Sequence, residues 1–263
     1  MKIRVLSAII MLIAVIPIVI LGDIYFKLLV CLLGIFSMNE LFNIRERKIP
    51  LFLRICSYII LFLFVYLSND YTASYTLNYK MIICLIGVFL FPIVFINDNN
   101  KYNVEDAFLT IGAILFLSVA FNSFIIIRNF DLLHFVYLTL ITIMTDTFAL
   151  FTGNLIGTHK LCEKISPKKT IEGSIGGSLV GTIVSFLFYK FLINSAFNTW
   201  TLIFITFCLT VIGQIGDLIF SAIKRKYNVK DFSNLIPGHG GILDRLDSMI
   251  LVMMTYILLL NLF

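Results

Sequence analysis

The sequence has little charge, and its cysteines are few and scattered. Only 13% of its 263 residues are charged, whereas 60% are hydrophobic, and the mean hydropathy is +1.01. Soluble domains are about half apolar and about a quarter charged. This composition excludes a soluble enzyme, a disordered chain and a small disulfide-rich domain, because each of these needs a more polar or more cysteine-rich sequence. The chain therefore requires a lipid environment.

Several common catalytic motifs are also missing. The five cysteines (Cys31, Cys56, Cys84, Cys162 and Cys208) show no CxxC or Cys/His spacing and are interpreted as small apolar core residues. No GxxxxGK[ST], GxGxxG or HExxH motif occurs, which excludes P-loop, dinucleotide and zincin sites. The net charge of +5 is expected to reflect cytoplasmic loops rather than a nucleic-acid partner.

Long apolar runs take the place of these motifs. A bilayer core needs about 20 residues of helix. Unpaired backbone is costly in lipid and the runs do not alternate as barrel strands do, so the predicted fold class is an all-α, polytopic integral membrane protein. The first run lacks a small-residue cleavage site and is expected to stay uncleaved. About nine transmembrane helices are predicted, at 3–21, 24–44, 51–67, 79–97, 107–127, 132–151, 174–193, 200–222 and 241–262.

The positions of lysine and arginine predict the orientation. With the N-terminus in the cytoplasm, sixteen of the twenty basic residues fall in cytoplasmic loops and four fall outside. This predicts a cytoplasmic N-terminus and an external C-terminus. Within one integrated membrane domain, residues 1–130 are predicted to be scaffold helices. Residues 131–263 are predicted to be the catalytic region, because nearly all unusual polar residues lie there.

Four carboxylates are expected to meet near the cytoplasmic leaflet. Asp146 and Asp217 lie about six residues before the inner ends of the sixth and eighth predicted helices, about 10 Å inside them. Asp244 and Asp247 lie at the start of the ninth predicted helix. Acids at membrane depth are rare and commonly functional. The alternatives are buried structural acids for the first two and helix capping for the last two.

One face of the eighth predicted helix suits a hard cation. Gly213, Asp217, Ser221 and Lys224 recur at i, i+4, i+8 and i+11 and so share a face. A carboxylate and a hydroxyl one turn apart are oxygen donors of the kind that divalent cations prefer, and Asp244 is expected to complete the pair. The absence of nearby histidine and cysteine argues against zinc.

The loop at 165–173 is a candidate phosphate site. Lys168 and Lys169 lie beside Ser166 and lead into a helix N-terminus, a combination that favours phosphate binding. Ordinary positive-inside charge is the alternative explanation for the lysines. In the following helix, the GxxxG pattern of Gly177 and Gly181 is more typical of helix packing than of chemistry.

The loop at 237–241, Pro-Gly-His-Gly-Gly, is too rich in glycine to be a simple linker. Glycine allows positive φ or a close approach of the backbone to a phosphate. We therefore take His239, Gly240 and Gly241 as candidate substrate-binding residues.

Residues 221–247 carry a family resemblance. They read SAIKRKYNVKDFSNLIPGHGGILDRLD, which resembles the signature of phosphatidate cytidylyltransferases, also called CDP-diacylglycerol synthases: S-x-x-K-R, K-D, P-x-H-G-G and D-R-x-D. The segments 146–149, 165–173 and 213–217 also resemble that family. The resemblance covers about residues 140–250, and the first half matches only as membrane helices.

The resemblance implies an enzyme that transfers the cytidylyl group of CTP to phosphatidate, giving CDP-diacylglycerol and pyrophosphate for phospholipid synthesis. It also implies Mg²⁺, in some members a second, monovalent cation such as K⁺, an all-helical fold that is often a homodimer, and a site facing the cytosol. The expected partners are CTP, phosphatidate and membrane lipid. Short loops and the lack of an N-terminal extension predict a bacterial plasma (inner) membrane.

Hypothetical roles for the candidate residues follow from this reaction. The lipid phosphate is already anionic, so no general base or covalent intermediate is required, and catalysis is positioning and charge neutralisation. Asp217 and Asp244 are assigned as metal ligands with Ser221, and Asp247 ligates directly or through water. Asp146 is assigned to a second cation or a nucleotide group. The basic candidates for balancing phosphate charge or binding substrate are Lys168, Lys169, Lys224, Arg225, Lys230 and Arg245.

Two alternatives stay open from the sequence. A CTP-dependent lipid kinase acting on polyprenol or phytol would share the nucleotide site but would release CDP. A cation transporter also places acids within the membrane, although it would need polar groups through the full bilayer depth. The complete signature at 221–247 favours the cytidylyltransferase.

Overall fold

The apolar runs fold as helices throughout the described part of the chain. The computed structural model describes residues 2–45, 48–67, 79–96, 102–193 and 197–260. Nine α-helices and one two-stranded antiparallel sheet lie within these residues. They are α1 (Lys2–Leu21), α2 (Asp23–Asn43), α3 (Leu51–Tyr66), α4 (Tyr79–Phe95), α5 (Val104–Phe130), α6 (Leu132–Ile156), β1 (Lys160–Cys162), β2 (Ser166–Thr170), α7 (Ile171–Leu192), α8 (Thr199–Lys226) and α9 (Leu243–Leu260).

The all-α membrane class is confirmed, while the number of spans stays a prediction. Among the described residues, five helices are long and apolar enough to cross a bilayer: α2, α5, α6, α7 and α8. Helices α3 and α4 are apolar but have only 16 and 17 residues. Helix α9 has 18 residues, and three of them are charged near its start. The predicted nine spans and the orientation of the termini thus remain expectations.

The two helices that carry Asp146 and Asp217 run further than predicted. Helix α6 ends at Ile156 rather than 151, and α8 ends at Lys226 rather than 222. Three basic residues in the last turn of α8 favour its extension, because they face the negative end of the helix dipole. Asp146 and Asp217 are therefore ten and nine residues from these ends, about 15 Å and about 14 Å along the axis. Both carboxylates lie deeper within their helices than the predicted 10 Å.

The segment between α6 and α7 contains a β-hairpin where the sequence analysis predicted only a loop. Lys160 pairs with Thr170, and Cys162 pairs with Ser166. Thr170 then caps α7, since its hydroxyl oxygen accepts a hydrogen bond from Gly173 N at 3.1 Å. The candidate phosphate loop is thus a strand that ends in a capped helix.

The chain divides into two compact units. The first contains Met1–Asn129 and Asp231–Leu243, and the second contains Phe130–Lys230 and Asp244–Phe263. The loop of Pro237 to Gly241 accordingly belongs to the same unit as the first five helices. The hairpin and the four candidate carboxylates belong to the second unit.

Within the first unit, polar side chains secure helix ends. Asn103 and Asp106 cap the start of α5 reciprocally, because each backbone N–H donates to the other side chain, at 3.2 Å and 2.9 Å. Asp106 is also ion-paired with Arg45, which follows α2. A buried charge near the N-terminus of α5 is thereby both paired and hydrogen-bonded.

Within the second unit, glycines allow the helices to approach closely. A Cβ on Gly177 would lie 2.6 Å from Thr145 O, and one on Gly181 would lie 2.5 Å from Thr145 Oγ1. The prediction that this GxxxG pair serves helix packing is confirmed. Likewise, a Cβ on Gly216 would lie 2.9 Å from Asp247 O, so the backbones of α8 and α9 meet beside Asp217.

Candidate active site

Asp217, on α8, lies at the centre of a charged group in the second unit. Lys169 Nζ, from β2, is 2.5 Å from Asp217 Oδ2, and Ser221 Oγ donates a hydrogen bond of 3.2 Å to Asp217 Oδ1. Asp146 on α6 and Asp247 on α9 are both close enough to interact electrostatically with Asp217. The structure thus brings together three of the four carboxylates that the sequence analysis singled out.

The fourth carboxylate, Asp244, pairs with a different lysine. Lys224 Nζ, near the end of α8, lies 2.7 Å from Asp244 Oδ1 in the first turn of α9. The Lys224 side chain is 10% exposed and that of Asp244 only 3%, so the pair is largely removed from solvent. Lys224 also interacts with Asp247. The predicted shared face of α8 therefore meets α9, although Asp217 and Asp244 each face a separate ammonium group.

The two adjacent lysines of β2 have different environments. Lys169 is half-buried and reaches Asp217, whereas Lys168 is exposed. Adjacent side chains of a strand point to opposite faces, and Lys169 lies on the side that reaches Asp217. Ser166 lies at the start of the same strand and is half-buried. The structure therefore connects only one of the two predicted phosphate-binding lysines to the carboxylates.

Arg225 ties the end of α8 to neighbouring backbone. Its Nε donates to Ile165 O and its Nη1 donates to Val229 O, both at 3.2 Å. Lys230 and Arg245 are exposed. No contact of Lys230 or Arg245 with the four carboxylates occurs within the described residues, so the structure does not join these two candidates to the charged group.

Gln214, which the sequence analysis did not single out, locks α7 onto α8 three residues before Asp217. Its Nε2 donates to Ser174 O at 3.1 Å and to Ser178 Oγ at 2.7 Å, and its Oε1 accepts from Ser174 Oγ at 2.5 Å. An amide inside the apolar run before Asp217 was the available signal. This three-bond contact fixes the depth of α8 against α7.

The Glu172 carboxylate, directly after the hairpin, binds the chain that precedes the hairpin. Its carboxylate accepts hydrogen bonds from Thr158 Oγ1 at 2.8 Å and from His159 N at 3.2 Å, and it lies 2.6 Å from His159 Nδ1. These bonds hold the chain that enters β1 against the first turn of α7. The next residue, Gly173, packs so tightly that a Cβ would lie 2.7 Å from Ala149 O. The Glu-Gly pair is therefore structural.

In the first unit, the segment of Pro237 to Gly241 forms a tight turn. Ile236 and Gly240 make an isolated antiparallel bridge, and Gly238 and Gly240 have φ of 79° and 88°. These positive angles require glycine, as the sequence suggested. Ser7 Oγ, from α1, donates to Pro237 O at 3.0 Å and lies 2.9 Å from His239 Nδ1. The candidate His239 is thus held at its Nδ1 side.

The charged group offers the ligand type that a hard cation prefers, because Asp217, Ser221 and the neighbouring carboxylates all provide oxygen atoms. Among the described residues, no three histidine, cysteine or acidic side chains are spaced to hold one metal ion. Mg²⁺ commonly takes only one or two protein carboxylates and completes its shell with water and substrate phosphates. The residues therefore fit an ion that shares its ligands with a nucleotide better than a fully protein-bound ion.

Comparisons with known proteins find similarity along nearly the whole chain. The model of a family described as the cytidylyltransferase family matches residues 2–263. A protein of Staphylococcus haemolyticus (strain JCSC1435) named phosphatidate cytidylyltransferase is 34% identical over 253 residues, which cover 96% of each chain. A Bacillus subtilis (strain 168) protein of the same name is 34% identical over 267 residues, covering 100% of this chain and 98% of its own. The similarity therefore includes both compact units.

Proposed function

We propose that this chain, which belongs to the cytidylyltransferase family, transfers the cytidylyl group of CTP to phosphatidate and releases pyrophosphate. Support comes from full-length relatives named phosphatidate cytidylyltransferase. The structural observation that carries the proposal is the charged group around Asp217, where three carboxylates and Lys169 converge from four elements. The product is CDP-diacylglycerol, a precursor for phospholipid synthesis.

The proposed reaction is a direct displacement at phosphorus. An oxygen of the phosphatidate phosphate forms a bond to the α-phosphorus of CTP, and the bond from that phosphorus to the bridging oxygen breaks, so that pyrophosphate leaves. Both reactants are anions at neutral pH, and the nucleophile needs no base. The enzyme must therefore align two phosphates and neutralise their charge.

The lysines of the charged group are suited to that neutralisation. Lys169 is about one-quarter exposed, and its carboxylate partner is exposed to the same extent. An ammonium with this access can leave Asp217 and turn to a phosphate oxygen when substrate binds. Lys224, by contrast, is largely buried against Asp244, and its charge is expected to stay in place and stabilise the developing negative charge nearby.

Mg²⁺ is the cofactor that we propose, with Asp217, Asp244 and Ser221 as protein donors and Asp247 as a water-mediated ligand, so that no more than two carboxylates bind the ion directly. When bound, the ion would supply positive charge to the α-phosphate and to the departing pyrophosphate. Asp146 is proposed to bind a second, monovalent cation or a nucleotide group, since it lies beside Asp217 and Lys169. The donor types support this assignment, because all are oxygens.

We also propose the membrane in which the protein lies and the side to which its site opens. Bacterial relatives, and five helices among the described residues that are long and apolar enough to cross a bilayer, support a bacterial inner membrane protein. The excess of basic residues in the loops predicted to be cytoplasmic supports a site that opens to the cytosol, where CTP is found. A homodimer is proposed from the family resemblance alone.

Transfer of label from CTP to lipid tests this function. The full chain, purified in detergent, is supplied with CTP labelled on the cytidine, with phosphatidate and with Mg²⁺. We expect label to enter the lipid phase and pyrophosphate to appear in equal amount. EDTA should abolish both signals, and fresh Mg²⁺ should restore them.

Other products would contradict the proposal. Labelled CDP in the aqueous phase without labelled lipid would identify a lipid kinase or a hydrolase. Absence of turnover in several lipid mixtures would favour a function that is not enzymatic. Transfer that persists in EDTA would preserve the reaction but would overturn the proposed cofactor.

A further inference from the structure

Glu40, on α2, is a buried acid in the first unit. Glu40 is only 2% exposed, and no lysine or arginine pairs with its carboxylate within the described residues. The carboxylate instead accepts three hydrogen bonds from the segment that carries the Pro-Gly-His-Gly-Gly turn. The donors are Ser233 Oγ at 2.7 Å, Ile242 N at 2.8 Å and Leu243 N at 2.9 Å.

The position of these donors explains why a negative charge is stable there. Leu243 is the first residue of α9, and the first amide groups of a helix have no partner within the helix. They also form the positive end of the helix dipole, which favours a carboxylate. Hydrogen bonds to an ionised acceptor are stronger than those between neutral groups. Glu40 therefore caps Ile242 and Leu243, where α9 begins, from another helix of the same unit.

Gly241 fits around this carboxylate. A Cβ at Gly241 would lie 2.5 Å from Glu40 Oε1 and 2.7 Å from its Cδ, well inside normal contact. Unlike Gly238 and Gly240, Gly241 does not have positive φ. The glycine is therefore needed for space rather than for backbone conformation, and Glu40 is the group that takes that space.

A second contact holds the same segment from α1. Ser7 Oγ bonds Pro237 O and His239 Nδ1, while Glu40 holds the two residues that come directly before Asp244. The segment from 233 to 243 is thus fixed at its turn and at its end by helices that the sequence analysis regarded as scaffold.

We propose that Glu40 is a positioning residue for the reaction. It fixes the backbone between His239 and Asp244, two residues of the sequence signature, without itself touching substrate. This inference rests on the proposed cytidylyl transfer. It assigns a positioning role to a helix that was predicted from the sequence to be only scaffold.

The first test compares Glu40→Gln and Glu40→Ala with the exposed carboxylate variant Glu105→Gln as a control. Misplacement of catalytic groups by about 1 Å can lower rates about 100-fold. We expect Glu40→Ala to lower kcat about 10-fold to 100-fold. Glu40→Gln retains one acceptor oxygen and should lose less, and Glu105→Gln should match wild type.

Two further readouts separate positioning from general loss of fold. Hydrogen exchange should accelerate in peptides covering 233–243 of Glu40→Ala and stay unchanged in peptides from α6 and α7. In kinetics, kcat should fall with little change in KM for CTP, because positioning acts on the transition state rather than on substrate binding. Unfolding of the variant would instead accelerate exchange in all peptides.

A double substitution keeps the proposal testable if single variants are unstable. Gly241→Ala should be severely impaired in the wild-type background, because its new methyl group meets the Glu40 carboxylate. In the Glu40→Ala background the same change should cost at least several-fold less, since the obstructing group is gone. Equal losses in both backgrounds would overturn the proposal.

Two outcomes distinguish this inference from the proposed function. If wild type transfers label to lipid and Glu40→Ala does so at the same rate with unchanged exchange at 233–243, Glu40 is not a positioning residue. If wild type itself forms no labelled lipid, the proposed function fails, and the exchange measurement alone decides whether Glu40 holds the segment.

Discussion

The two compact units use their charged side chains differently. In the first unit, Glu40 accepts from backbone amides of Ile242 and Leu243, and Arg128 donates to the carbonyls of Val19 and Ile20. In the second unit, carboxylates face lysine side chains at Asp217 and Asp244. A charge bound to backbone can change partner only if the chain moves. A carboxylate–lysine pair can exchange its partner for a phosphate or a cation while the fold stays intact.

The Arg45–Asp106 pair is an exception to this difference between the units, because it is a side-chain ion pair within the first unit. Asp106 also takes part in the cap at the start of α5. That pair is therefore committed to structure, and it provides a matched control for the pairs of the second unit.

The largest effect is expected from removing the charge of Lys224. Lys224→Met leaves the Asp244 carboxylate buried without its ammonium partner, and loss of one partner from a buried pair costs about 3–5 kcal/mol. Thermal unfolding in detergent should show a markedly lower Tm. The double variant Lys224→Met/Asp244→Leu should recover much of the stability, because position 244 no longer carries an unpaired charge, yet cytidylyl transfer should stay absent.

Recovery of both stability and transfer in the double variant would contradict the proposed role of this pair. The pair would then be a structural element like the Arg45–Asp106 pair, and the contrast between the units would fail at this point.

Asp217→Asn is expected to affect turnover more than stability. Loss of a single electrostatic group commonly lowers kcat about 10²–10³-fold, or about 2.7–4 kcal/mol. Asparagine retains the shape, and Ser221 and Lys169 keep a polar neighbour. The rate of label transfer and the Tm, measured on the same preparation, provide the test.

Asp106→Asn is the matched control for Asp217→Asn. It should lower Tm while leaving kcat per folded molecule close to wild type, since its partners are Arg45 and the cap residue Asn103. If the two variants lost turnover to the same degree, these two acids would not differ in role, and the assignment of Asp217 to a metal would be wrong.

A smaller effect is expected from the glycines that permit close helix packing. Gly177→Ala places a methyl group 2.6 Å from Thr145 O, and overpacking of this kind costs about 1–3 kcal/mol. Gly112→Ala, on α5 of the first unit, meets no atom within 4 Å and should be neutral or slightly stabilising. Thermal unfolding of both variants measures the difference. Equal Tm values would contradict the close packing of α6 against α7.

The helices and most of the carboxylate cluster were predictable from sequence for a simple physical reason. Long apolar runs are the strongest signal that a membrane imposes, and an acid inside such a run stands out. Asp146 and Asp217 were recognised on that ground, and Asp247 was recognised at the start of the ninth predicted helix; the structure places the three together. The predicted shared face of α8 was also correct, because 3.6-residue periodicity fixes which side chains point together.

The β-hairpin and Glu40 could not be predicted on the same grounds. Strands of three and five residues, with a proline and two lysines, show no alternation that a sequence pattern could reveal. Glu40 is also an acid within an apolar run, but its partners are amides about 200 residues away, and no local spacing points to them. Pairing of Lys169 with Asp217 depends on the hairpin and was hidden for the same reason.

The smallest effect is expected at Lys168, the neighbour of Lys169. Lys168 is exposed and has no ion-pair partner within the described residues, so its interaction with a nucleotide or lipid phosphate is screened by solvent and salt. Lys168→Gln should raise KM for CTP or phosphatidate only a few-fold, and that increase should shrink at high ionic strength. Lys169→Gln should lower kcat as well, at any salt concentration, because its partner Asp217 lies in the charged group. If the two substitutions gave equal losses with the same salt dependence, the hairpin would act as a diffuse basic surface, and the specific pairing of Lys169 with Asp217 would have no part in catalysis.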